Sequence, residues 1–196
     1  MKLASSFYTR NNVVQIAKEL LGKYLFTRFN KILTGGIIIE TEAYAGVTDR
    51  ASHAFGGRRT ARTEIMYSNG GTAYVYLCYG IHSLFNVVTN EKDIPHAVLI
   101  RAIHPTHGID EMLRRRKMNE VKKNLSAGPG TVSEALGIHY SNSGLNLNGK
   151  EIWIEDKGIQ INKKDIIIGK RIGVDYAKED ALLPYRFIID PKNIRR

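Results

Sequence analysis

The segment IIIETEAY (37–44) closes an apolar run with two carboxylates, Glu40 and Glu42, and then an aromatic ring, Tyr44. Side chains alternate between the faces of a strand. Strict alternation therefore puts Ile38, Glu40, Glu42 and Tyr44 on one face, and Ile37, Ile39, Thr41 and Ala43 on the other. Such an acidic end has two explanations. Either the strand runs out into solvent, or a carboxylate there activates water beside an aromatic wall. Residues i and i+2 lie about 6.5–7 Å apart along a strand, which overlaps the roughly 6.5–9.5 Å between the carboxylates of inverting glycosidases. Any two carboxylates at this spacing share that property, so the chemistry indicated is broad: hydrolysis at an anomeric carbon by one carboxylate and a water.

Two further stretches carry chemistry. AGVTDRASHAFGGRRTAR follows Tyr44 and contains His53, paired glycines and Arg58, Arg59 and Arg62. Gly56 and Gly57 allow close backbone approach to a ligand, and the arginines suit phosphates. Farther on, TAYVYLCYGIHSLFN (72–86) crowds Tyr74, Tyr76 and Tyr79 ahead of a turn at Gly80. These rings either fill a core or face flat, electron-poor rings. HPTH (104–107) offers two histidines in an expected turn with no third ligand, so no metal is expected. Cys78, the only cysteine, sits in an apolar run where buried packing is expected, and no internal disulfide or CxxC zinc pattern is possible.

These residues need elements to hold them. NNVVQIAKELLG reads as a helix capped by Asn11 or Asn12, with Val13, Ile16, Ala17, Leu20 and Leu21 inward and Gly22 as its stop. Strands are expected at 24–29, 36–44, 72–79, 84–89 and 97–103. IDEMLRRRKMNEV (109–121) reads as a helix with Ile109, Met112 and Leu113 inward and its arginines largely outward. AGPGTVSEALGI (127–138) reads as a turn feeding a short helix ended by Gly137, and short strands alternate with turns from 151 to 189. Without regular βαβ alternation, the expected fold is α+β: a single compact domain over 1–196 with a curved, mostly antiparallel sheet flanked by helices. The length suits one core.

Charge narrows the partner. With 29 Lys+Arg against 19 Asp+Glu, the chain carries a formal +10 and a pI near 9.7. Such an excess attracts polyanions, nucleic acid first and an anionic membrane surface second. The basic residues cluster at GGRRTAR (56–62), RRRK (114–117), Lys122 with Lys123, and Arg195 with Arg196. No apolar run is long enough for a membrane span. The opening MKLASSFYTR lacks the apolar core of a secretory signal, so none is expected.

The ordered segments ELLGKYL, ETEAY, ASHAFGGRRTART, GTAYVYLCYG with Asn86, AVLIRAI, SAGPG and RIGV resemble the alkyladenine (3-methyladenine) DNA glycosylases of the mammalian type, over residues 8 to 187. The resemblance implies excision of alkylated or deaminated purines from double-stranded DNA by cleavage of the N-glycosidic bond. It implies a DNA repair enzyme with no metal or organic cofactor, acting as a monomer away from membranes; nothing in the sequence points to a lysine nucleophile, so a monofunctional enzyme without strand cleavage is expected. The compartment implied is the cytoplasm of a bacterium or the nucleus of a eukaryote. It also implies a protruding β-hairpin that enters the minor groove. By the same resemblance Glu42 is the general base for water, with Arg101 supporting it and Glu40 in a supporting role. Tyr44, His53 and Tyr76 wall the base pocket. Asn86 disfavours the exocyclic amine of guanine, and Tyr79 occupies the gap left by the extruded nucleotide. Ile81 stands where many members carry a methionine, and His82 and Ser83 where an aromatic is common. Two other classes fit parts of the sequence. A non-catalytic nucleic-acid-binding module has no use for Glu40 and Glu42, and a carbohydrate hydrolase leaves the charge unexplained and has only Trp153 as a platform.

Overall fold

The computed structural model describes residues 1–194; Arg195 and Arg196, the last basic patch, lie outside the described residues. A short helix α1 (Ser5–Tyr8) precedes α2 (Val13–Leu20). Asn12 caps α2, its side chain accepting from the Gln15 N–H at 2.9 Å. Val13, Ile16, Ala17 and Leu20 form the buried stripe that the spacing predicts. Among the described residues eight strands follow as one antiparallel sheet: β1 (Tyr24–Phe29), β2 (Ile32–Tyr44), β3 (Ala73–Cys78), β4 (His82–Thr89), β5 (His96–His107), β6 (Ile152–Glu155), β7 (Ile167–Gly169) and β8 (Arg186–Ile188). The spatial order is β3-β4-β5-β2-β1-β6, with β8 joined to β2 and β7 to β8. Helices α3 (Ile109–Arg115) and α4 (Pro129–Leu136) complete the set. The fold is thus α+β with a curled antiparallel sheet, as expected.

The sheet separates two environments. One face carries Ile38, Ala43, Val75, Phe85, Val87, Val98, Ile100 and Ile103, which pack with the stripes of α2 and α4 into the main core. On the other face Tyr74, Val88 and Ala97 pack beneath a loop carrying Ala54, Met66 and Tyr67. That loop folds as three 3-10 turns, Gly46–Thr48, Phe55–Gly57 and Glu64–Tyr67.

Several local expectations are corrected. β2 starts four residues earlier than expected, running through Gly35 and Gly36. A Cβ at Gly36 would lie 2.5 Å from the His104 carbonyl oxygen, so glycine there reflects close strand approach. Strict alternation also fails along β2. The β2–β5 register shifts between Ile38 and Glu40 and shifts back before Thr41. Ile38 therefore joins the core face with Ala43 instead of the face of Glu40 and Glu42. The break falls where the other neighbour of β2 changes from β1, paired up to Ile37, to β8, paired from Glu40. His104 and His107 lie in strand β5, not in a turn, and His107 packs edge-on against Phe26. The helix expected over 109–121 stops at Arg115, and Lys117 takes φ 51°. Its arginines do not all face outward. Arg115 turns in to donate to the Ala135 carbonyl at 3.0 Å, and Arg116 pairs with Glu134. Cys78 is half-buried at a strand end rather than packed inside.

Candidate active site

The register of the sheet builds the site. Tyr74 on β3 pairs with Asn86 on β4, Asn86 with Leu99 on β5, Leu99 with Glu42 on β2, and Glu42 with Arg186 on β8. These residues form one row across the face opposite the main core. Asn86 and Glu42 stand two strands apart, about 10 Å, with Leu99 as the floor between them. Above the row is a cavity of about 260 Å³ lined by Tyr44, His53, Tyr74, Tyr76, Tyr79, Asn86, Leu99 and Arg101, together with Pro129, Ile172 and Tyr176. It lies just below the usual range of about 300–1,000 Å³ for small-molecule pockets, on the scale of a ring system.

The acidic strand end does not run out into solvent. Glu42 is 0% exposed. It sits behind the cavity wall, held by three groups whose residues line the cavity. Oε2 accepts from the Tyr44 hydroxyl at 2.8 Å, Oε1 accepts from the Ile172 N–H at 2.8 Å, and Arg101 Nη1 lies 3.4 Å from Oε2. Glu40 accepts at Oε1 from Arg101 Nε at 2.9 Å and from Arg186 Nε at 2.7 Å. Arg101 thus bridges the two carboxylates. Burial raises the pKa of Glu42, and Glu40 adds to the rise; Arg101, the Ile172 N–H and the Tyr44 hydroxyl oppose it without cancelling it. A buried carboxylate of raised pKa is a stronger base than a solvated one.

The aromatic wall is continuous. His53 meets Tyr76 edge-on at 4.6 Å between ring centroids, and its Nδ1 lies 2.9 Å from the Tyr74 hydroxyl. Burial, then the nearby charges of Arg62 and Arg58, lower its pKa to about 4, so the imidazole is neutral at pH 7. Tyr74 and Tyr76 lie 5.5 Å apart. Asn86 is 4% exposed and gives its amide hydrogens to the Tyr74 and Leu84 carbonyls. Its oxygen therefore remains as the free acceptor.

Tyr79 and Gly80 close the β3–β4 connection with φ 50° and 74°, and the Ile81 N–H donates to the Cys78 carbonyl at 3.1 Å. Positive φ at both central residues is the pattern of a type I′ turn, and with Cys78 paired to His82 the connection holds three residues, Tyr79, Gly80 and Ile81. A bulky side chain in that region is an outlier. Tyr79 is nevertheless there and 93% exposed, beside Ile81 at 73%. Of the loop arginines, Arg59 forms ion pairs with Glu64 and Asp93. Arg58 is exposed, and Arg62, also exposed, lies 5.0 Å over the ring of Tyr76, which lines the cavity.

Four contributors escaped the motif reading. Tyr74, for which the sequence leaves core packing and a site role both open, does both: it packs in the second core cluster, lines the cavity and holds His53. Ile172, Gly173 and Tyr176 form a wall from the far end of the chain. RIGV was visible as a motif, but its contact with Glu42 spans 130 positions and involves a backbone N–H, which no residue type announces.

A cavity walled by tyrosines and a neutral imidazole, backed by a buried carboxylate and rimmed with arginine, is the kind of site that a DNA glycosylase requires. The comparisons with known proteins narrow this. Residues 6–193 match the family described as methylpurine-DNA glycosylase. The chain is 46% identical over 195 residues to a Chlamydia felis protein named "Putative 3-methyladenine DNA glycosylase", covering 99% of each. Proteins of the same name from Clostridium perfringens (45% over 197 residues, 96% of each) and Bacillus cytotoxicus (43% over 195 residues, 95% of each) match equally broadly. The chain belongs to the methylpurine-DNA glycosylase family. It is accordingly a hydrolase of N-glycosidic bonds in DNA and an enzyme of DNA repair. Among the described residues no helix is long and apolar enough to cross a membrane.

Proposed function

We propose that the enzyme swings a damaged purine, 3-methyladenine first, out of duplex DNA into the cavity and hydrolyses its glycosidic bond with a water activated by Glu42. One observation carries this reading: Tyr44, His53, Tyr76, Tyr79, Asn86 and Arg101 line a single cavity, and the Glu42 carboxylate is bonded to two of its wall residues. Glycosylases are among the enzymes known to extrude their target base, at a cost of a few kcal/mol. An aromatic ring stacked in the vacated space offsets this, since base–aromatic stacking is worth about 1–3 kcal/mol. Tyr79 is placed for that task on a β3–β4 hairpin entering the minor groove. Alkylation at N3 or N7 leaves the purine cationic, and electron-rich ring faces attract cations. Tyr76 and Tyr44 supply those faces. The free oxygen of Asn86 faces the edge of the base. Such a base leaves readily, so the enzyme contributes a positioned water and an anion against the oxocarbenium-like transition state. Arg58 and Arg62 reach the phosphates, while Arg59 holds the loop to Glu64 and Asp93.

No lysine lines the cavity among the described residues, which supports water as nucleophile and a product with an intact strand. One copy of the chain carries every group invoked, which supports action as a monomer, and the bacterial relatives support the bacterial cytoplasm over the nucleus. A carbohydrate hydrolase is disfavoured because Trp153 is 6% exposed and stacked against Phe26, away from Glu42.

The test is an abasic-site assay on duplexes carrying 3-methyladenine, 7-methylguanine, ethenoadenine or hypoxanthine. The wild type releases base from at least the first, and Glu42→Gln binds the same duplex without releasing it. Near-normal single-turnover excision by Glu42→Gln refutes the role of Glu42. A lysine–DNA adduct trapped by borohydride refutes the monofunctional mechanism.

A further inference from the structure

Behind the cavity wall lies a buried ion pair that the reaction scheme above does not use. Arg171 and Asp49 are 5% and 2% exposed. They join as a two-pronged fork, with Nη2–Oδ1 at 2.8 Å and Nη1–Oδ2 at 2.5 Å. The same guanidinium donates to the Ala43 carbonyl, between Glu42 and Tyr44, at 2.9 Å, and to the Asp180 carbonyl at 3.0 Å. It lies 4.9 Å over the Tyr44 ring. Asp49 in turn accepts from the backbone N–H groups of Ala45 and Ala51. One pair therefore ties together the end of β2, the loop leading to His53, and the strap from Arg171 to Leu182. The residue after Arg171 is Ile172, whose N–H holds Glu42.

Stability alone does not account for such a pair. Buried ion pairs are often matched or bettered by apolar residues of similar volume. What the pair supplies is geometry: it fixes where Ile172 and Tyr44 stand. We propose that Asp49 and Arg171 are positioning residues for glycosidic hydrolysis, holding the Ile172 N–H and the Tyr44 hydroxyl on Glu42. This rests on the reading of Glu42 as the base. Neither residue lines the cavity.

The charged and titratable groups around Glu42 come from several elements: Tyr44 and Glu40 on β2, Arg101 on β5, Arg171 and Tyr176 on the strap, and Arg186 on β8 acting through Glu40. Three groups favour the ionised carboxylate, namely Arg101, the Ile172 N–H and Tyr44. The ion pair controls the last two. Loosening them leaves burial less opposed and moves the protonation midpoint of Glu42 upward.

The experiment uses the full chain carrying both Asp49→Asn and Arg171→Met, which removes both charges with little change in volume. Arg171→Lys serves as a second variant that keeps the charge without the fork. Each is compared with the wild type and Glu42→Gln on a 3-methyladenine duplex by single-turnover excision from pH 5 to 9, by binding to an abasic-analogue duplex, and by thermal unfolding. We expect the double variant to fold and bind, while its excision rate falls about 100-fold, the scale of a misplacement near 1 Å. Its acidic limb moves to higher pH, and Arg171→Lys falls between it and the wild type. Unchanged rate and limb in a folded variant, with Glu42→Gln inactive, overturn the positioning role and leave the base assignment standing. A slower rate with an unmoved limb overturns it as well, because a purely structural pair would act that way. Full activity of Glu42→Gln removes the base itself and the positioning role with it.

Discussion

Tyr79 pits folding against function, and the two effects have opposite signs. Its left-handed backbone, φ 50°, costs an ordinary side chain roughly 1–2 kcal/mol relative to a right-handed one. With 93% of the residue exposed, little packing repays that cost. Asparagine tolerates the conformation, and Asn-Gly is the preferred pair for this turn. Tyr79→Asn should therefore stabilise the protein by about 1 kcal/mol, or about 2–4 °C in Tm for a chain of this size. Glycine would be a poorer choice, since its greater freedom in the unfolded chain cancels part of the gain. If Tyr79 is the proposed wedge, the same change removes the ring that would stack in the duplex. Losing about 1–3 kcal/mol of stacking lowers the population of the extruded base roughly 5- to 150-fold. Thermal unfolding reads the first effect, and fluorescence of a base-analogue reporter opposite the lesion reads the second. A variant that loses stability refutes the strain argument. One that extrudes the base as well as the wild type refutes the wedge.

Three other expectations concern charge. Glu42→Gln should lose excision yet keep or raise Tm at pH 7. Burial lifts the folded-state pKa of Glu42 above its unfolded value, so its stabilising contribution is complete below the unfolded pKa and lost as pH rises through the folded one; a clear fall in Tm at pH 7 contradicts this. His53 has the opposite sign: with a folded pKa of about 4, its contribution is present above the unfolded value of about 6.5 and lost as pH falls toward 4, roughly 3 kcal/mol in all. An NMR titration of His53 with its midpoint near 6.5 would exclude that. Arg58→Ala and Arg62→Ala should each lower the slope of log affinity against log salt by about 0.9, and Arg59→Ala, already paired to Glu64 and Asp93, should change it less; equal slopes for all three would remove the distinction.

What the sequence made legible was local. The Asn12 cap and the spacing of Val13, Ile16, Ala17 and Leu20 specify α2 within one segment, and the glycine after Tyr79 marks its turn. Glu42, Tyr44, Tyr76 and Tyr79 lie within short motifs whose residue types already suggest their chemistry. What stayed hidden depends on partners distant in the chain. Alternation through Ile38 fails because β2 changes neighbours there, from β1 to β8, and β8 lies about 150 residues further on. Arg115 reads as a solvated cation until the Ala135 carbonyl and Thr34 hydroxyl come within its reach. Asp49 and Arg171, 122 positions apart, look like two ordinary charges until the fold buries them together.

The change of neighbour along β2 has a consequence for how the molecule tolerates alteration. Upstream of it the strand belongs to a layer shared with Tyr24, Phe26 and Trp153; downstream it carries the acidic groups. A strand straightened through Ile39 would keep every hydrogen-bonding partner type yet present Thr41 and Ala43 to the ligand and drive both glutamates into aliphatic surroundings. Insertions or deletions on either side of that fork thus act differently: those before Ile38 disturb the aromatic layer, and those after it both take Glu42 from the site and bury unpaired charge in the core.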